Sequence, residues 1–506
     1  MTFTFTGGNQ EVAYREATNK QTIVINKSKT CPGCRRQRSP AQFDEGRKTC
    51  KKMPRREMTI KLMKHQLEDV KWMERRPRIL DFSDAGTGKT GKHIVDFAQR
   101  RRKKKVGRML VLAPKSLLKA AWGDDFKKFA PDMKVSVAWA ENREEAFAVD
   151  ADVYVTNIDG AKWLATKTKK FFAKFGQLVI DECTSVKHRT SDRSKAVKKI
   201  AQYFEWRRAL SGTPTSNGIC DLWHQVYVID DGKRLGRAFY AFQKAACTPE
   251  DDGGRIVWVD KPGIEPVVGG LIEDITIRRK FEDCVDIPPN HRYAIPFTLT
   301  PSHRKAYLEL ENQKFLETNG RKVSAVNGAV LYFKLLQAAS GAVYVDPDNE
   351  DSDYTLLDAD RYDLIMDLVE ARDHSIVFFG WRHQKDELIR VAKARGIKFE
   401  IIDGTVTRKG ERERIVDAYQ RGEYQVLIAN IVHGLTLTKG TRTIFASPTP
   451  NLEHFLQGYK RIYRIGQKEK TETIMIIAPG TIDEYVWEQC QKKDVRQSDL
   501  LSYMEN

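Results

Sequence analysis

Short apolar runs recur along two long stretches of the chain, and polar segments of helical length separate them. The runs lie at residues 79–82, 109–113, 152–156 and 178–180 in the first stretch, and at residues 375–381, 399–403, 424–429, 443–446 and 473–478 in the second. Apolar strands that alternate with helices are typical of a parallel sheet covered on both faces. The pattern therefore predicts an α/β protein with two successive lobes.

Changes in composition divide the chain further. Residues 1–56 are rich in Lys and Arg and indicate a separate basic module. Residues 57–235 hold the first α/β series, and residues 361–485 hold the second. Between them, residues 236–360 are less regular, with Gly/Asp-rich turns and helical patterns, so we predict helical insertions that link the lobes. Residues 486–506 are left as a C-terminal tail.

The chain is strongly basic. Its 506 residues include 86 Lys and Arg against 68 Asp and Glu, a formal net charge of +18. Such an excess indicates a polyanionic partner, with nucleic acid favoured and an anionic membrane as the competing choice. Because we find no run of about 18 apolar residues and no N-terminal signal segment, we expect no membrane partner. We expect a soluble, intracellular protein, in the cytoplasm of a bacterium or phage-infected host, or in the nucleus of a eukaryote.

Three cysteines cluster within the basic module. Cys31, Cys34 and Cys50 match the spacing of a zinc ribbon at three of its four positions, and Met53 stands at the fourth. A thioether is a poor zinc ligand, so His65 or another group would have to complete the site. A zinc-ribbon-like module that binds Zn²⁺ is one interpretation. A small basic subdomain with free thiols is the other.

A glycine-bearing turn follows the apolar run at residues 79–82 and leads into a helical pattern. Backbone N–H groups of such a turn, with the positive end of the helix dipole, can hold phosphate oxygens. Lys89 would reach the β- and γ-phosphates, and Thr90 would hold Mg²⁺. Ser83 stands where the usual pattern has glycine, so a surface turn with an exposed lysine is the alternative. The candidate nucleotide-binding residues of the turn are Gly86, Thr87, Gly88, Lys89 and Thr90.

A second apolar strand pattern ends in two adjacent carboxylates, Asp181 and Glu182. Open α/β sheets bind their ligands at the carboxyl ends of the strands. There Asp181 could hold the Mg²⁺ that Thr90 also contacts, and Glu182 could orient and deprotonate a water molecule. Together with Lys89, the pair indicates hydrolysis of a nucleoside triphosphate.

A small-residue turn follows at residues 211–214. With this turn included, the order of the segments resembles that of the superfamily-two helicase and translocase ATPases, and in particular their Swi/Snf-type branch. The most specific element is Arg-x-x-Arg-Ile-Gly-Gln at residues 461–467. The resemblance covers residues 60–485. It rests on His65 and Gln66, residues 84–90, residues 110–114 with Trp122, residues 181–187, residues 211–214, Arg278 and Arg279 with residues 287–289, and residues 457–467.

The resemblance implies two tandem RecA-like lobes and a role for further residues. Gln66 would recognise adenine, and Arg461 and Arg464 would be arginine fingers from the second lobe. Ser211 and Thr213 would couple the nucleotide state to lobe movement. The residues expected along the nucleic-acid track are Pro114, Lys115, Thr156, Asn157, Gly434 and Leu435.

The function implied is that of a DNA translocase which uses ATP and Mg²⁺ to move along duplex or branched DNA, largely without sequence preference. Branch migration, annealing or displacement of bound protein are the tasks that such movement would serve. One alternative is a helicase that separates strands of DNA or RNA. Another, of a different class, is a non-catalytic nucleic-acid binding protein. The N-terminal module could also bind a protein partner.

Overall fold

The computed structural model describes most of the chain beyond residue 61 and a few short segments before it. The described residues are 2–5, 11–15, 22–27, 29–30, 37–38, 62–252, 255–313, 315–318, 321–324, 328–344, 353–406, 410–430 and 435–504. The chain divides into two compact units, Met1–Lys61 and Leu62–Asn506.

The first unit contains short antiparallel strands. Strands β1, β2 and β3 form one sheet, and β4 and β5 form a pair. The predicted zinc ligands Cys31, Cys34 and Cys50 lie outside the described residues. The strand bounds are β1 (Thr2–Phe5), β2 (Glu11–Arg15), β3 (Thr22–Lys27), β4 (Lys29–Thr30) and β5 (Gln37–Arg38).

The first lobe of the second unit is built on a seven-stranded sheet. Its elements, with the segment that follows them, are α1 (Lys64–Met73), β6 (Arg78–Asp81), α2 (Lys89–Arg102), β7 (Arg108–Ala113), α3 (Asp124–Phe129), β8 (Val135–Ala138), α4 (Arg143–Ala148), β9 (Val153–Asn157), α5 (Gly160–Leu164), α6 (Lys169–Phe172), β10 (Phe175–Asp181), α7 (Asp192–Ala201), β11 (Trp206–Leu210), α8 (Asp221–Asp230), α9 (Phe239–Ala246), β12 (Cys247–Asp252), β13 (Arg255–Asp260), α10 (Ile264–Ile272), β14 (Thr276–Ile277) and α11 (Phe281–Cys284). The sheet order is β14-β6-β11-β10-β7-β9-β8, with every pair parallel.

The second lobe is built on a six-stranded sheet. Its elements are β15 (Asn290–Pro296), α12 (Pro301–Gln313), β16 (Phe315–Thr318), β17 (Arg321–Ser324), α13 (Gly328–Ala339), β18 (Ala342–Tyr344), β19 (Tyr354–Leu356), α14 (Asp360–Glu370), β20 (Ser375–Phe378), α15 (Arg382–Ala394), β21 (Phe399–Ile402), α16 (Glu411–Gln420), β22 (Val426–Ala429), β23 (Arg442–Phe445), α17 (Leu452–Tyr459), β24 (Thr471–Ile477) and α18 (Ile482–Ser502). The sheet order is β15-β24-β23-β20-β22-β21, again with every pair parallel.

The two parallel sheets confirm the prediction of two tandem RecA-like lobes. Their central strands are buried on both faces; every residue of Met109 to Ala113, for example, has no exposed surface. This burial explains why the strands read as unbroken apolar runs. Helix α7 starts at a polar cap, Ser191, whose side chain accepts a hydrogen bond from the Ser194 backbone N–H.

Helix α18 connects the lobes. It begins beside the second-lobe sheet, where Arg361 and the buried Asp483 form an ion pair at 2.8 Å. Its last residues, Leu500 and Leu501, share a hydrophobic cluster with Ile272 of α10 and the first-lobe core. The two lobes therefore lie against one another within one compact unit. Among the described helices, none is both long and apolar enough to cross a membrane.

Candidate active site

The turn between β6 and α2 has the backbone conformation of a phosphate-binding loop. Gly86 and Gly88 have φ values of +95° and +77°, a region that glycine adopts readily and other residues rarely. A Cβ atom on Gly88 would lie 1.9 Å from Nε2 of Gln66. Thr87 Oγ1 closes the turn by donating to the Asp84 carbonyl at 2.8 Å. The conformation of the backbone therefore favours glycine at Gly88, and a larger residue would also displace the Gln66 amide.

Helix α1 is fixed to this turn through two polar side chains. Gln66 Nε2 donates to the carbonyl oxygens of Thr87 and Gly88 at 3.2 and 3.3 Å. His65 Nε2 donates to the Thr87 carbonyl at 3.0 Å. The structure therefore brings Gln66 to this turn, and its contact with adenine stays a prediction.

Lys89, the first residue of α2, points back over the turn. Its Nζ donates to the carbonyl oxygens of Ser83 and Asp84 at 2.8 and 3.2 Å. Burial lowers the pKa of Lys89, although Glu182 acts in the opposite direction. A cation held among backbone carbonyls and carboxylates in this way is suited to binding phosphate oxygens.

The two carboxylates at the end of β10 lie at the same edge of the sheet as this turn. Trp122, in a π-helical turn at Leu118–Gly123, donates from Nε1 to Oδ2 of Asp181 at 2.9 Å. Glu182 has a φ of +50°, which is unusual for a residue other than glycine and occurs often at functional sites. Burial, and after it the charge of Asp181, raise the pKa of Glu182 to about 7. A carboxylate with a raised pKa is a stronger base than usual.

The turn after β11 brings two further predicted residues close to the site. The Ser211 backbone N–H donates to the Asp81 carbonyl at 3.0 Å. Ser211 Oγ accepts a hydrogen bond from the Thr213 backbone N–H at 3.0 Å. Thr213 Oγ1 is buried, and no described residue forms a hydrogen bond with it. The turn therefore packs directly behind the phosphate-binding loop.

The second lobe contributes Arg461, which follows α17. Burial lowers the pKa of Arg461 to about 9; Arg464 acts in the same direction, whereas the charge of Glu182 opposes it. Arg461 and Glu182 therefore lie close enough for their charges to interact across the lobes. Arg461 Nε is buried, and the described part of the chain offers it no hydrogen-bond partner. Arg464 differs, because its Nη1 donates to the Leu435 carbonyl at 2.9 Å.

Asp84, a residue of this turn, forms ion pairs with one residue of each lobe. The sequence analysis did not assign it this role. Its Oδ1 lies 2.6 Å from Nη1 of Arg278, and its Oδ2 lies 3.4 Å from Nζ of Lys460. The backbone N–H of Phe281 donates to Oδ2 at 3.1 Å. Lys460 directly precedes the predicted arginine finger Arg461, and this position in the sequence could have indicated a contact with the first lobe.

Phe281 is a second missed residue, and no pattern in the sequence marks it. Its ring packs edge-on against Tyr463 with centroids 5.3 Å apart. A Cβ atom on Gly86 would come within 2.8 Å of the Phe281 ring. Phe281 is therefore a direct apolar contact between the phosphate-binding turn and the second lobe.

The residues predicted to lie along the nucleic-acid track differ from one another in burial and in hydrogen bonding. Thr156 Oγ1 is buried and donates to the Ala138 carbonyl at 3.0 Å, so this side chain joins β9 to β8. Asn157 Oδ1 accepts a hydrogen bond from Arg143 at 3.1 Å. Lys115 is exposed just after β7, next to the half-buried Pro114. Gly434 lies outside the described residues.

The donor set fits a nucleoside triphosphate and its cation. Lys89, the N–H groups of a turn with two left-handed glycines, and the unpartnered Nε of Arg461 can contact phosphate oxygens. Thr90 and Asp181 could hold Mg²⁺, which when bound would neutralise negative charge on the phosphates. The arrangement is suited to transferring a phosphoryl group to water, with donors from both lobes.

Two family models match the chain. The SNF2-related domain matches residues 65–339, and the helicase conserved C-terminal domain matches residues 360–466. The chain is similar to protein p41 of Acyrthosiphon pisum secondary endosymbiont phage 1, with 27% identity over 78% of this chain and 88% of the relative. It is also similar to the SWI/SNF-related matrix-associated actin-dependent regulator of chromatin subfamily A-like protein 1 of Xenopus tropicalis, with 24% identity over 85% of this chain but 44% of the relative.

Two further matches complete the comparison. The ATP-dependent helicase/translocase YwqA of Bacillus subtilis is 25% identical over 80% of this chain and 44% of its own length. Among solved structures, the Sulfolobus solfataricus SWI2/SNF2 ATPase core in complex with dsDNA matches with a TM-score of 0.42 and 20% identity, over 88% of this chain and 96% of that one. The chain thus spans less than half of the longer curated relatives.

Proposed function

The chain belongs to the SNF2-related family of helicase-type ATPases, and we propose that it uses ATP hydrolysis to move along duplex DNA. It is an ATP-hydrolysing enzyme of this family, with ATP and Mg²⁺ as substrate and cofactor.

One observation carries the proposal: the residues to which we assign the hydrolysis come from two lobes. Lys89 and Glu182 lie on the first lobe, while Arg461, whose charge interacts with that of Glu182, lies on the second. A site divided in this way is complete only while the lobes are together. Hydrolysis is therefore suited to driving a cycle of closing and opening.

We assign the steps to particular side chains. Lys89 would bind the β- and γ-phosphates, and Glu182 would accept a proton from the attacking water. Arg461 would neutralise charge that develops on the transferred phosphoryl group. Release of the products would remove the ligand that Lys89 and Arg461 share, so that the lobes can separate.

Duplex DNA is the partner that best fits the charge and the relatives. The net charge of +18 favours a polyanion, and phosphate contacts of that kind bind with little sequence preference and weaken steeply with salt. Relatives named as a helicase/translocase and as a regulator of chromatin support movement on DNA in this family. Such movement would perform branch migration, annealing or displacement of bound protein.

The test is the ATPase rate measured side by side with duplex, single-stranded and branched DNA and with RNA. We expect the greatest stimulation by duplex or branched DNA and no unwinding of a forked duplex. Greater stimulation by single strands, together with unwinding, would favour a strand-separating helicase instead. The Glu182→Gln variant should lose roughly 10²- to 10⁴-fold in turnover, and unchanged turnover would refute the assignment of the base.

A further inference from the structure

A hydrogen bond joins the two lobes directly beside the predicted base. Thr184 Oγ1, two residues after Glu182, donates to Oε1 of Glu453 at 3.2 Å. The same oxygen accepts a second hydrogen bond, from Gln457 Nε2, at 3.0 Å. Glu453 thus stands between a first-lobe residue next to the hydrolytic carboxylates and the second-lobe helix that leads to Arg461.

The surroundings hold this contact in place. Thr184 and Gln457 have 3% and 7% of their surface exposed, so a lost hydrogen bond would leave a buried polar group. Asn451 caps α17 by accepting hydrogen bonds from the backbone N–H groups of Glu453 and His454 at 2.9 and 3.4 Å. The cap fixes the first turn of the helix and hence the direction of the Glu453 side chain.

We propose that Glu453 is a positioning residue of the ATPase site, which aligns Glu182 with Arg461 by joining Thr184 to Gln457 when the lobes meet. The inference rests on the proposed function, because it takes Glu182 as the base and Arg461 as the arginine finger. Glu453 itself touches neither ATP nor water in this scheme. It acts through the two hydrogen bonds that its Oε1 accepts.

A carboxylate in the first turn of a helix also interacts favourably with the helix dipole. The interaction with the helix dipole depends on the charge of Glu453 and does not depend on the length of its side chain. The positioning role depends on length and on an acceptor oxygen. Two conservative variants therefore separate the roles.

Glu453→Gln keeps the side-chain length and an oxygen that can accept both hydrogen bonds, but it removes the charge. Glu453→Asp keeps the charge in the first turn but is one methylene shorter. In the presence of duplex DNA, we expect the Gln variant to stay within about threefold of the unmodified kcat, and the Asp and Ala variants to lose about tenfold, the effect of one buried hydrogen bond. KM for ATP should not change. The opposite order, with Asp normal and Gln impaired, would overturn the proposal.

A double-variant cycle tests the route of the effect. Thr184→Val removes the hydroxyl that donates to Glu453. If Glu453 acts through Thr184, adding Thr184→Val to Glu453→Ala should cost little more than Glu453→Ala alone, because Glu453→Ala already removes this hydrogen bond. Losses that multiply in the double variant would contradict the proposal.

Glu469→Gln is the matched control, because it removes an exposed carboxylate from the same lobe. It should leave kcat, KM and the midpoint of thermal unfolding unchanged, and the midpoints of the Glu453 variants show whether they fold. Unmodified protein that duplex DNA fails to stimulate would refute the proposed function. Stimulated unmodified protein with a folded, fully active Glu453→Ala variant would refute this inference alone.

Discussion

Lys460 of the second lobe lies with its Nζ 3.4 Å from Oδ2 of Asp84, in the phosphate-binding turn of the first. Arg278 contacts the other carboxylate oxygen of Asp84 at 2.6 Å. The nucleotide-binding turn is therefore tied by charge to the residue that directly precedes Arg461. Because Asp84 pairs with two cations, the consequences of breaking the network depend on which member is removed.

We predict that Asp84→Asn destabilises the protein more than Lys460→Met. The first change leaves two buried cations without their carboxylate and should cost roughly 3 kcal/mol or more, whereas the second leaves Asp84 paired with Arg278 and should cost less. The midpoints of thermal unfolding show which variant loses more stability. Lys127→Met is the control, because its pair with Asp124 is exposed and should contribute at most about 1 kcal/mol. Equal losses for Asp84→Asn and Lys460→Met would contradict the network.

Gly88→Ala should weaken nucleotide binding about tenfold, the effect of roughly 1–2 kcal/mol of backbone strain. The added Cβ would lie 1.9 Å from Nε2 of Gln66 on a backbone with a φ of +77°, so the turn must change shape or Gln66 must move away. Binding of a fluorescent ATP analogue measures the loss. Gly404→Ala is the control, since nothing lies within 4 Å of the added atom. Normal binding by the Gly88 variant would show that the turn does not hold the phosphates.

The two arginines should differ in their effects. Arg461 has a buried Nε without a partner among the described residues, whereas Arg464 is engaged by the Leu435 carbonyl. Arg461→Ala should therefore lose roughly 10³-fold in kcat, as expected for an arginine finger. Arg464→Ala should lose less in kcat and more in thermal stability. Single-turnover ATP hydrolysis and thermal unfolding separate the two, and the reverse order would assign the finger to Arg464.

The parts of the fold and site that the sequence predicted are those that depend on short-range patterns. Buried parallel strands read as apolar runs, and their carboxyl ends meet at one edge, so Lys89 and Asp181 could be placed together from the order of the segments alone. The contact between Thr184 and Glu453 could not be predicted, because 269 residues separate them and the contact depends on how the lobes pack. The same holds for Phe281, whose contact with Tyr463 depends on how the lobes pack.

Two buried histidines make stability depend on pH. Burial lowers the pKa of His224 to about 4 and that of His383 to about 3. In the unfolded chain each would titrate near 6.5. Between that value and the folded pKa, the unfolded chain binds more protons than the folded one, so stability falls as the pH falls. Glu182 acts in the opposite direction in the same range, because its folded pKa is raised to about 7.

His224→Asn should therefore flatten the loss of stability on acidification. His224 donates from Nδ1 to the Val186 carbonyl at 2.6 Å, and the Asn amide can make the same hydrogen bond without titrating. Below pH 6, the free energy of unfolding of the unmodified protein should fall relative to the variant by up to about 1.4 kcal/mol per pH unit, the effect of one proton. Denaturant unfolding between pH 6.5 and 5 measures this difference. Both proteins contain Glu182, so its contribution cancels. His188→Asn, which removes an exposed histidine, is the control. Parallel curves for His224→Asn and the unmodified protein would show that His224 is free to bind a proton in the folded state.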